Sequence, residues 1–141
     1  MNRNQSLSGK RPFSSVWQAA VWLDCTERQV YDHIEAGRLP MAFDIASPGG
    51  GRACLRMATA SVLALQRHRA PPRELEAFLA EALPEGQFSY MAPHLARLLQ
   101  CDSDHIYHLI GSNMLTDVGG STRYRVPRES VVRFLTERRV K

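Results

Sequence analysis

The chain carries the same pattern of residues twice. The segment that begins at Phe13 aligns without a gap with the segment that begins at Ser89, at an offset of 76 residues. Repetition at a fixed offset is typical of a structural unit that occurs more than once. Most of the identical residues are apolar, so we expect them to occupy equivalent core positions in two small domains. The identical pairs are Ala20 and Ala96, Leu23 and Leu99, Cys25 and Cys101, Tyr31 and Tyr107, Ile34 and Ile110, and Leu39 and Leu115.

The two copies differ in length at one place. After Leu39 and Leu115 they fall out of register, and they realign at an offset of 69 residues, where Arg56 meets Arg125. The first copy therefore has seven extra residues, around the sequence SPGGGR. Insertions of this kind are tolerated in surface loops, so we expect an exposed loop here in both copies.

Each copy begins with two short helices. Apolar residues at i, i+3, i+4 and i+7 predict the first helix. A break follows at Asp24 or Gln100, after which Thr26 or Asp102 can cap a second helix through its side-chain oxygen. Two short helices joined by a turn of this length are typical of a helix-turn-helix. The apolar positions of the first helices are Val16, Ala19, Ala20 and Leu23, and Ala92, Leu95, Ala96 and Leu99.

A glycine-rich segment follows the two helices in each copy. Gly37 or Asn113 can end the second helix in a left-handed conformation. The chain then alternates around SPGGGR or VGGSTR, which predicts a two-stranded hairpin, and a last helix follows. The predicted fold class is mainly α with short β-hairpin wings, as tandem winged helix-turn-helix domains joined by a helical linker. The predicted boundaries are a flexible tail at 1–11, a first domain at 12–69, a linker at 70–87 and a second domain at 88–141.

The first copy, AAVWLDCTERQVYDHIEAGRLP followed by CLRMATASVLAL, resembles the excisionase and MerR-like family of winged helix-turn-helix DNA-binding proteins. The second copy, LARLLQCDSDHIYHLIGSNML followed by YRVPRESVVRFL, resembles it too. The likeness covers about two-thirds of the chain and includes the spacing Val-Tyr-x-x-Ile-x-x-Gly-x-Leu. The family usually has glycine in the turn between the helices, where this chain has Asp24 and Gln100. The resemblance implies sequence-specific binding of double-stranded DNA, by a transcriptional regulator or by an excisionase-like factor that bends DNA during recombination.

The resemblance also implies that the exposed face of each second helix and the arginines of each wing contact DNA. Arginine and glutamine can form paired hydrogen bonds with guanine and adenine, so Arg28 and Gln29 are the candidates for base contact. A tyrosine hydroxyl more often meets a phosphate. Asp32 and Asp104 either accept from cytosine or only solvate their helices. The implied residues are Arg28, Gln29, Tyr31, Asp32, His33, Arg52 and Arg56 in the first copy, and Ser103, Asp104, His105, Tyr107, His108, Arg123 and Arg125 in the second.

An amphipathic helix is predicted between the two copies. The prolines before it suit a helix start, and Leu75, Phe78, Leu79, Ala82 and Leu83 share one face. This apolar stripe must pack against something. It either docks on the two small domains or serves, over 72–83, for self-association or for a protein partner.

Charge is distributed unevenly along the chain. The net charge is +4, and the basic residues are sixteen arginines and only two lysines, Lys10 and Lys141. Arginine forks onto phosphates and guanine edges, which favours nucleic acid, although codon preference can produce the same bias. Residues 72–87 carry four glutamates and one arginine, so the basic charge lies outside the predicted linker.

Several other classes of protein are disfavoured. No apolar run reaches the roughly 18–20 residues of a membrane span, and the polar start lacks the apolar segment of a secretion signal, so we expect a cytoplasmic protein. The three cysteines form no CxxC pair, and His105 and His108 accompany no HExxH motif. The glycine-rich loop lacks the lysine of a P-loop. We therefore expect no enzyme activity, no cofactor and no metal.

One rival function belongs to a different class. Acids on the predicted recognition helices and the modest net charge are consistent with a protein-protein interaction module that retains the winged fold without binding DNA. The two hypotheses differ in the response of DNA binding to salt.

Overall fold

Helices dominate the chain, and its strands are short. The computed structural model describes residues 11–49, 52–120 and 123–140, and within them lie seven helices and two small antiparallel sheets, arranged as two helix-rich halves. The predicted tail at 1–11 lies outside the described residues except for Arg11. The first half contains β1 (Phe13–Ser15), α1 (Val16–Leu23), α2 (Glu27–Glu35), β2 (Ala42–Asp44), β3 (Leu55–Ala58) and α3 (Thr59–Gln66). After α4 (Leu75–Ala82), the second half contains β4 (Ser89–Met91), α5 (Ala92–Leu99), α6 (Ser103–Gly111), β5 (Arg125–Pro127) and α7 (Arg128–Glu137).

Side-chain caps fix the starts of α1 and α2 in the first half. The Thr26 hydroxyl accepts a hydrogen bond from the Gln29 N–H at 3.1 Å, and the Gln29 Oε1 accepts from the Thr26 N–H at 2.9 Å. Ser15 and Gln18 make the same reciprocal pair at the start of α1. Such a box satisfies two backbone N–H groups that a helix start leaves open. The predicted cap by Thr26 is confirmed, whereas the Asp102 side chain makes no capping hydrogen bond in α6, so that prediction is wrong.

The turn between the paired helices has the same shape in both halves. Asp24 has a φ of 51° and Gln100 a φ of 58°, both left-handed. In each turn the next N–H bonds back into the first helix, from Cys25 to the Ala20 carbonyl at 3.0 Å in the first half. A left-handed residue costs an L-amino acid about 1–2 kcal/mol. Asp24 and Gln100 therefore carry backbone strain that a glycine at either position would avoid.

The first half contains the predicted hairpin and one further strand. β2 and β3 pair antiparallel, with Ala42 opposite Met57. β1 pairs with the other edge of β3, with Phe13 opposite Ala58, so the strand order is β1-β3-β2. Sequence periodicity did not predict β1, because three residues are too few for an alternation to be visible.

The second half forms a smaller sheet than predicted. β4 pairs with β5, with Tyr90 opposite Val126, and no strand equivalent to β2 occurs among the described residues. Among the described residues, one backbone hydrogen bond joins the two sides of the expected hairpin, from the Val118 N–H to the Arg125 carbonyl at 2.8 Å. The prediction of a two-stranded wing in the second copy is therefore wrong for its first strand.

A single hydrophobic cluster extends through both halves and α4. Phe78 of α4 lies against Phe13 of β1 and Phe43 of β2, with ring centroids 5.4 and 6.0 Å apart. Leu79 and Leu83 are buried in the same cluster as Leu99, Val131 and other residues of the second half. The predicted docking of the 72–83 stripe is confirmed, and its buried side chains are not available for self-association in this fold.

Arginine side chains also bridge the halves. Arg138, after α7, donates from Nε to the Asp44 carbonyl at 2.8 Å and from Nη2 to the Ala46 carbonyl at 2.9 Å. The Arg138 Nη2 also lies 3.9 Å from the Asp44 carboxylate. The domain boundaries 12–69, 70–87 and 88–141 stay a prediction. The two halves and α4 nevertheless pack against one another, so 70–87 does not behave as a flexible linker between separate domains.

Candidate nucleic-acid interface

The outer face of α2 is polar and exposed. Val30 is fully buried, while its neighbours Arg28, Gln29, Tyr31 and Asp32 are exposed. Val30 is buried in the first-half cluster and Ile34 packs against it, which leaves the remaining face of α2 to solvent. The structure thus places on the outer face of α2 four of the residues that the resemblance implied for the first copy.

Gln29 has a structural role that its predicted base contact would disturb. Its Oε1 lies 2.9 Å from the Thr26 N–H and 3.3 Å from the Thr26 hydroxyl. Paired contact with adenine needs this oxygen and the amide NH₂ together. Rotating the side chain into a groove would give up the capping box, at a cost of about 1 kcal/mol. The S/T-x-x-Q pattern was visible in the sequence and could have indicated this role.

His33 orients an arginine that sequence reasoning missed. Arg38 donates from Nε to the His33 Nδ1 at 2.8 Å. Burial and, to a smaller extent, the Arg38 guanidinium lower the pKa of His33, and the Asp32 carboxylate opposes them. At neutral pH the imidazole is therefore a neutral acceptor. The repeat gave no signal for Arg38, because Met114 stands at the equivalent place in the second copy.

The two arginines predicted for the first wing have different surroundings. Arg52 is exposed. Arg56 is half-buried and donates to the carbonyls of Leu55, Leu99 and Gln100 at 2.8, 2.8 and 2.7 Å. Because β3 faces the second half here, the guanidinium caps the end of α5 instead of reaching outward. The structure gives Arg56 an internal bridging role, and its phosphate contact stays a prediction.

The predicted face of α6 is divided between the protein interior and solvent. The His105 Nε2 bonds to the Ile45 carbonyl of the first half, and Ser103 is half-buried. Asp104, Tyr107 and His108 are exposed. The first turn of α6 rests on the loop of the first hairpin, so His105 is engaged within the protein, and its contact with DNA stays a prediction.

Two tyrosines meet at the surface of the second half. The rings of Tyr107, on α6, and Tyr124, before β5, lie 5.0 Å apart at 48°. Arg123 and Arg125 flank Tyr124 and are exposed, and Arg125 donates to the Ser89 hydroxyl at 2.8 Å. Sequence reasoning missed Tyr124, because Leu55 stands at the equivalent position of the first copy.

The loop that carries Tyr124 is shaped by two residues. The Asp117 carboxylate accepts from the N–H groups of Arg125 and Gly119, each at 2.9 Å, and these hydrogen bonds lower its pKa. A side chain at Gly119 would place its Cβ 1.9 Å from the Arg123 carbonyl oxygen. The close approach of the two chain segments therefore requires glycine, whatever its φ.

Two of the three cysteines have raised pKa values. Burial, and secondarily the Asp24 carboxylate, raise the pKa of Cys25. Burial raises the pKa of Cys101 to about 11, against the opposing effect of the Arg56 guanidinium. Across residues 11–49, 52–120 and 123–140, no three His, Cys, Asp or Glu side chains are grouped as a metal site would need. The helices in the same ranges are all too short or too polar to span a bilayer.

Comparison of the chain with models of known families, with characterised proteins and with solved structures gives no match. The candidate interface therefore depends on the geometry of this chain alone.

Proposed function

We propose that the chain is a sequence-specific double-stranded DNA-binding protein made of two tandem winged helix-turn-helix units, with α2 as its recognition helix. The observation that carries this proposal is the outward face of α2, where Arg28, Tyr31 and Asp32 surround the buried Val30 after a capped turn. The function is that of a transcriptional regulator or of an architectural factor in recombination, since both need the same contacts.

The dimensions of α2 are compatible with a DNA groove. An α-helix with its side chains is about 10–12 Å in diameter, which fits the major groove of B-DNA, about 12 Å wide, and the nine residues of α2 extend about 13 Å along its axis. In helix-turn-helix proteins the N-terminal residues of the recognition helix contact base edges. Arg28 lies at that end and can form paired hydrogen bonds with guanine, while Tyr31 lies one turn further along, where a hydroxyl can meet a phosphate.

The second unit is proposed to contact the DNA backbone and not the bases. The start of α6 rests on the first half through His105, which removes the end of the helix that would enter a groove. Arg123, Arg125 and the hydroxyls of Tyr107 and Tyr124 remain exposed, and these are groups that contact phosphates without regard to sequence. One unit would then read the sequence while the other adds affinity.

A test begins with duplexes selected from a random pool by the purified full chain. Arg28→Ala should weaken binding to the selected site by about 1–3 kcal/mol, which is roughly 5-fold to 150-fold, and relax the preference at one base pair. Arg133→Ala, an exposed arginine on α7, serves as the matched control and should leave the preference unchanged. An unaltered preference in Arg28→Ala would rule out base contact by this residue.

One observation favours the rival function, a protein-protein interaction module. α2 carries three carboxylates, Glu27, Asp32 and Glu35, against the single arginine Arg28. Trp17 on α1 is also 65% exposed, beside Asp24 and Glu27 in a cavity of about 410 Å³. If the wild-type chain shows no salt-dependent affinity for any duplex, the rival replaces the DNA-binding proposal.

A further inference from the structure

The carboxylates of α2 outnumber its arginine, so α2 alone offers few cations for phosphate contacts. The salt-dependent part of the affinity of a DNA-binding protein comes from arginine and lysine side chains that neutralise phosphates. α2 has more carboxylates than arginines, and Arg56 is committed inside the protein. A DNA-binding chain of this kind therefore needs other exposed cations near its helices.

A basic groove lies where the two halves meet. It has a volume of about 610 Å³ and is formed by Arg11, which precedes β1, and by the outer side and end of α5. Two guanidiniums, from Arg11 and Arg97, and the imidazole of His94 face it, and Asp102 is the one carboxylate among its lining residues. Within the described part of the chain, neither guanidinium has a hydrogen-bond or ion-pair partner.

The end of α5 forms the floor of the groove, and the negative partial charge of its carbonyls is offset by a neighbouring guanidinium. The last carbonyls of a helix carry a partial negative charge, and α5 ends here. Arg56 donates to the carbonyls of Leu99 and Gln100, so a half-buried cation offsets that charge. The Gln18 Nε2 donates to the Gln100 Oε1 at 3.1 Å, which joins the two halves beneath the groove.

From these contacts we infer that the groove of Arg11, His94 and Arg97 binds the sugar-phosphate backbone of DNA at the junction of the two halves. The inference rests on the proposed function, in which α5 is the first helix of the second unit. In helix-turn-helix proteins that helix crosses the DNA backbone. Guanidinium groups match phosphate oxygens in geometry and charge.

The experiment measures the affinity of the full chain for its selected duplex between about 50 and 200 mM salt. Removing one phosphate contact lowers the slope of log K against log salt by about 0.9, which is roughly 5-fold to 10-fold in affinity near 0.1 M salt. Arg11→Ala and Arg97→Ala should each show this loss, and the double variant should show both, with an unchanged base preference. Arg133→Ala should keep the wild-type slope.

The outcomes separate this inference from the proposed function. If Arg28→Ala weakens binding while the Arg11→Ala and Arg97→Ala variants keep the wild-type slope, the groove is not a backbone site and the proposed function survives. If the wild-type chain binds no duplex, both fail. If the two variants lose affinity for inorganic phosphate or for a poly-glutamate peptide but keep their affinity for DNA, the groove binds a free anion or an acidic protein segment instead. Thermal unfolding should match that of the wild type, because both side chains are exposed.

Discussion

Arg56 and Arg125 are equivalent residues of the two repeats, yet the structure gives them different roles. Arg56 bonds to three carbonyls and bridges the halves, whereas Arg125 is exposed and bonds to the Ser89 hydroxyl. Replacing each by methionine keeps the aliphatic stem and removes the guanidinium. We expect Arg56→Met to lower the free energy of unfolding, and Arg125→Met to lower mainly the affinity for DNA.

The size of the first effect follows from the hydrogen bonds that are lost. A hydrogen bond from a charged group contributes about 1.5–3 kcal/mol when buried, and less where water can replace it. Arg56 is half-buried, so its two bonds across the halves together contribute about 2–4 kcal/mol. For a chain of this length 1 kcal/mol corresponds to about 3–5 °C, so the midpoint of thermal unfolding should fall by roughly 6–20 °C.

Two measurements distinguish a role in stability from a role in DNA binding for each arginine. Urea unfolding followed by circular dichroism gives the stability of each variant, and a salt titration against the selected duplex gives the number of phosphate contacts. Arg56→Met should keep the wild-type salt slope, and Arg125→Met should lower it by about 0.9 at nearly wild-type stability. A stable Arg56→Met with a lower slope would show that Arg56 grips phosphate and that the bridge between the halves is unimportant.

Three further predictions concern the fold. Phe78→Ala should destabilise the chain by about 3–5 kcal/mol and unfold both halves in one transition, unlike the exposed Glu76→Ala; two separate transitions in calorimetry would contradict the shared core. Asp24→Gly should raise stability in urea by about 0.5–1 kcal/mol, because relief of left-handed strain exceeds the entropy cost of glycine, and a loss would refute the strain. Because the pKa of His33 is lowered by folding, the unfolded chain binds more protons below about pH 6.5, so stability falls as the pH drops through that range. His33→Gln should flatten this part of the pH profile of stability. Parallel profiles for the wild type and the variant would exclude a contribution of His33.

Sequence reasoning predicted the local structure well. The apolar spacing placed Val16, Ala19 and Ala20 on the buried side of α1, and these residues are buried in the structure. The left-handed conformations expected at Gly37 and Asn113 are also present. Each of these features is set by residues within a few positions of one another, and such patterns can be read directly from the chain.

Contacts between the halves could not be read in the same way. Alignment of the repeats treated Arg56 and Arg125 as equivalent, although only the first faces another half of the protein. The same holds for His105, whose partner, Ile45, is distant in sequence. A repeat reports what two units have in common, and it carries no information on how they pack against each other.

The shared core has a consequence for how the chain is made. A small cluster that includes Val16, Val30 and Val62 lies within the first half, so it can form as soon as that half leaves the ribosome. The larger cluster also contains buried residues of the second half, up to Leu135, so it cannot be completed until those residues have been synthesised. During that interval the apolar residues that the first half and α4 contribute to this cluster lack their packing partners from the second half, and a partly formed core of this kind is prone to aggregation. Synthesis of the second half, and not of the first repeat alone, should therefore be the step at which these residues become resistant to proteolysis.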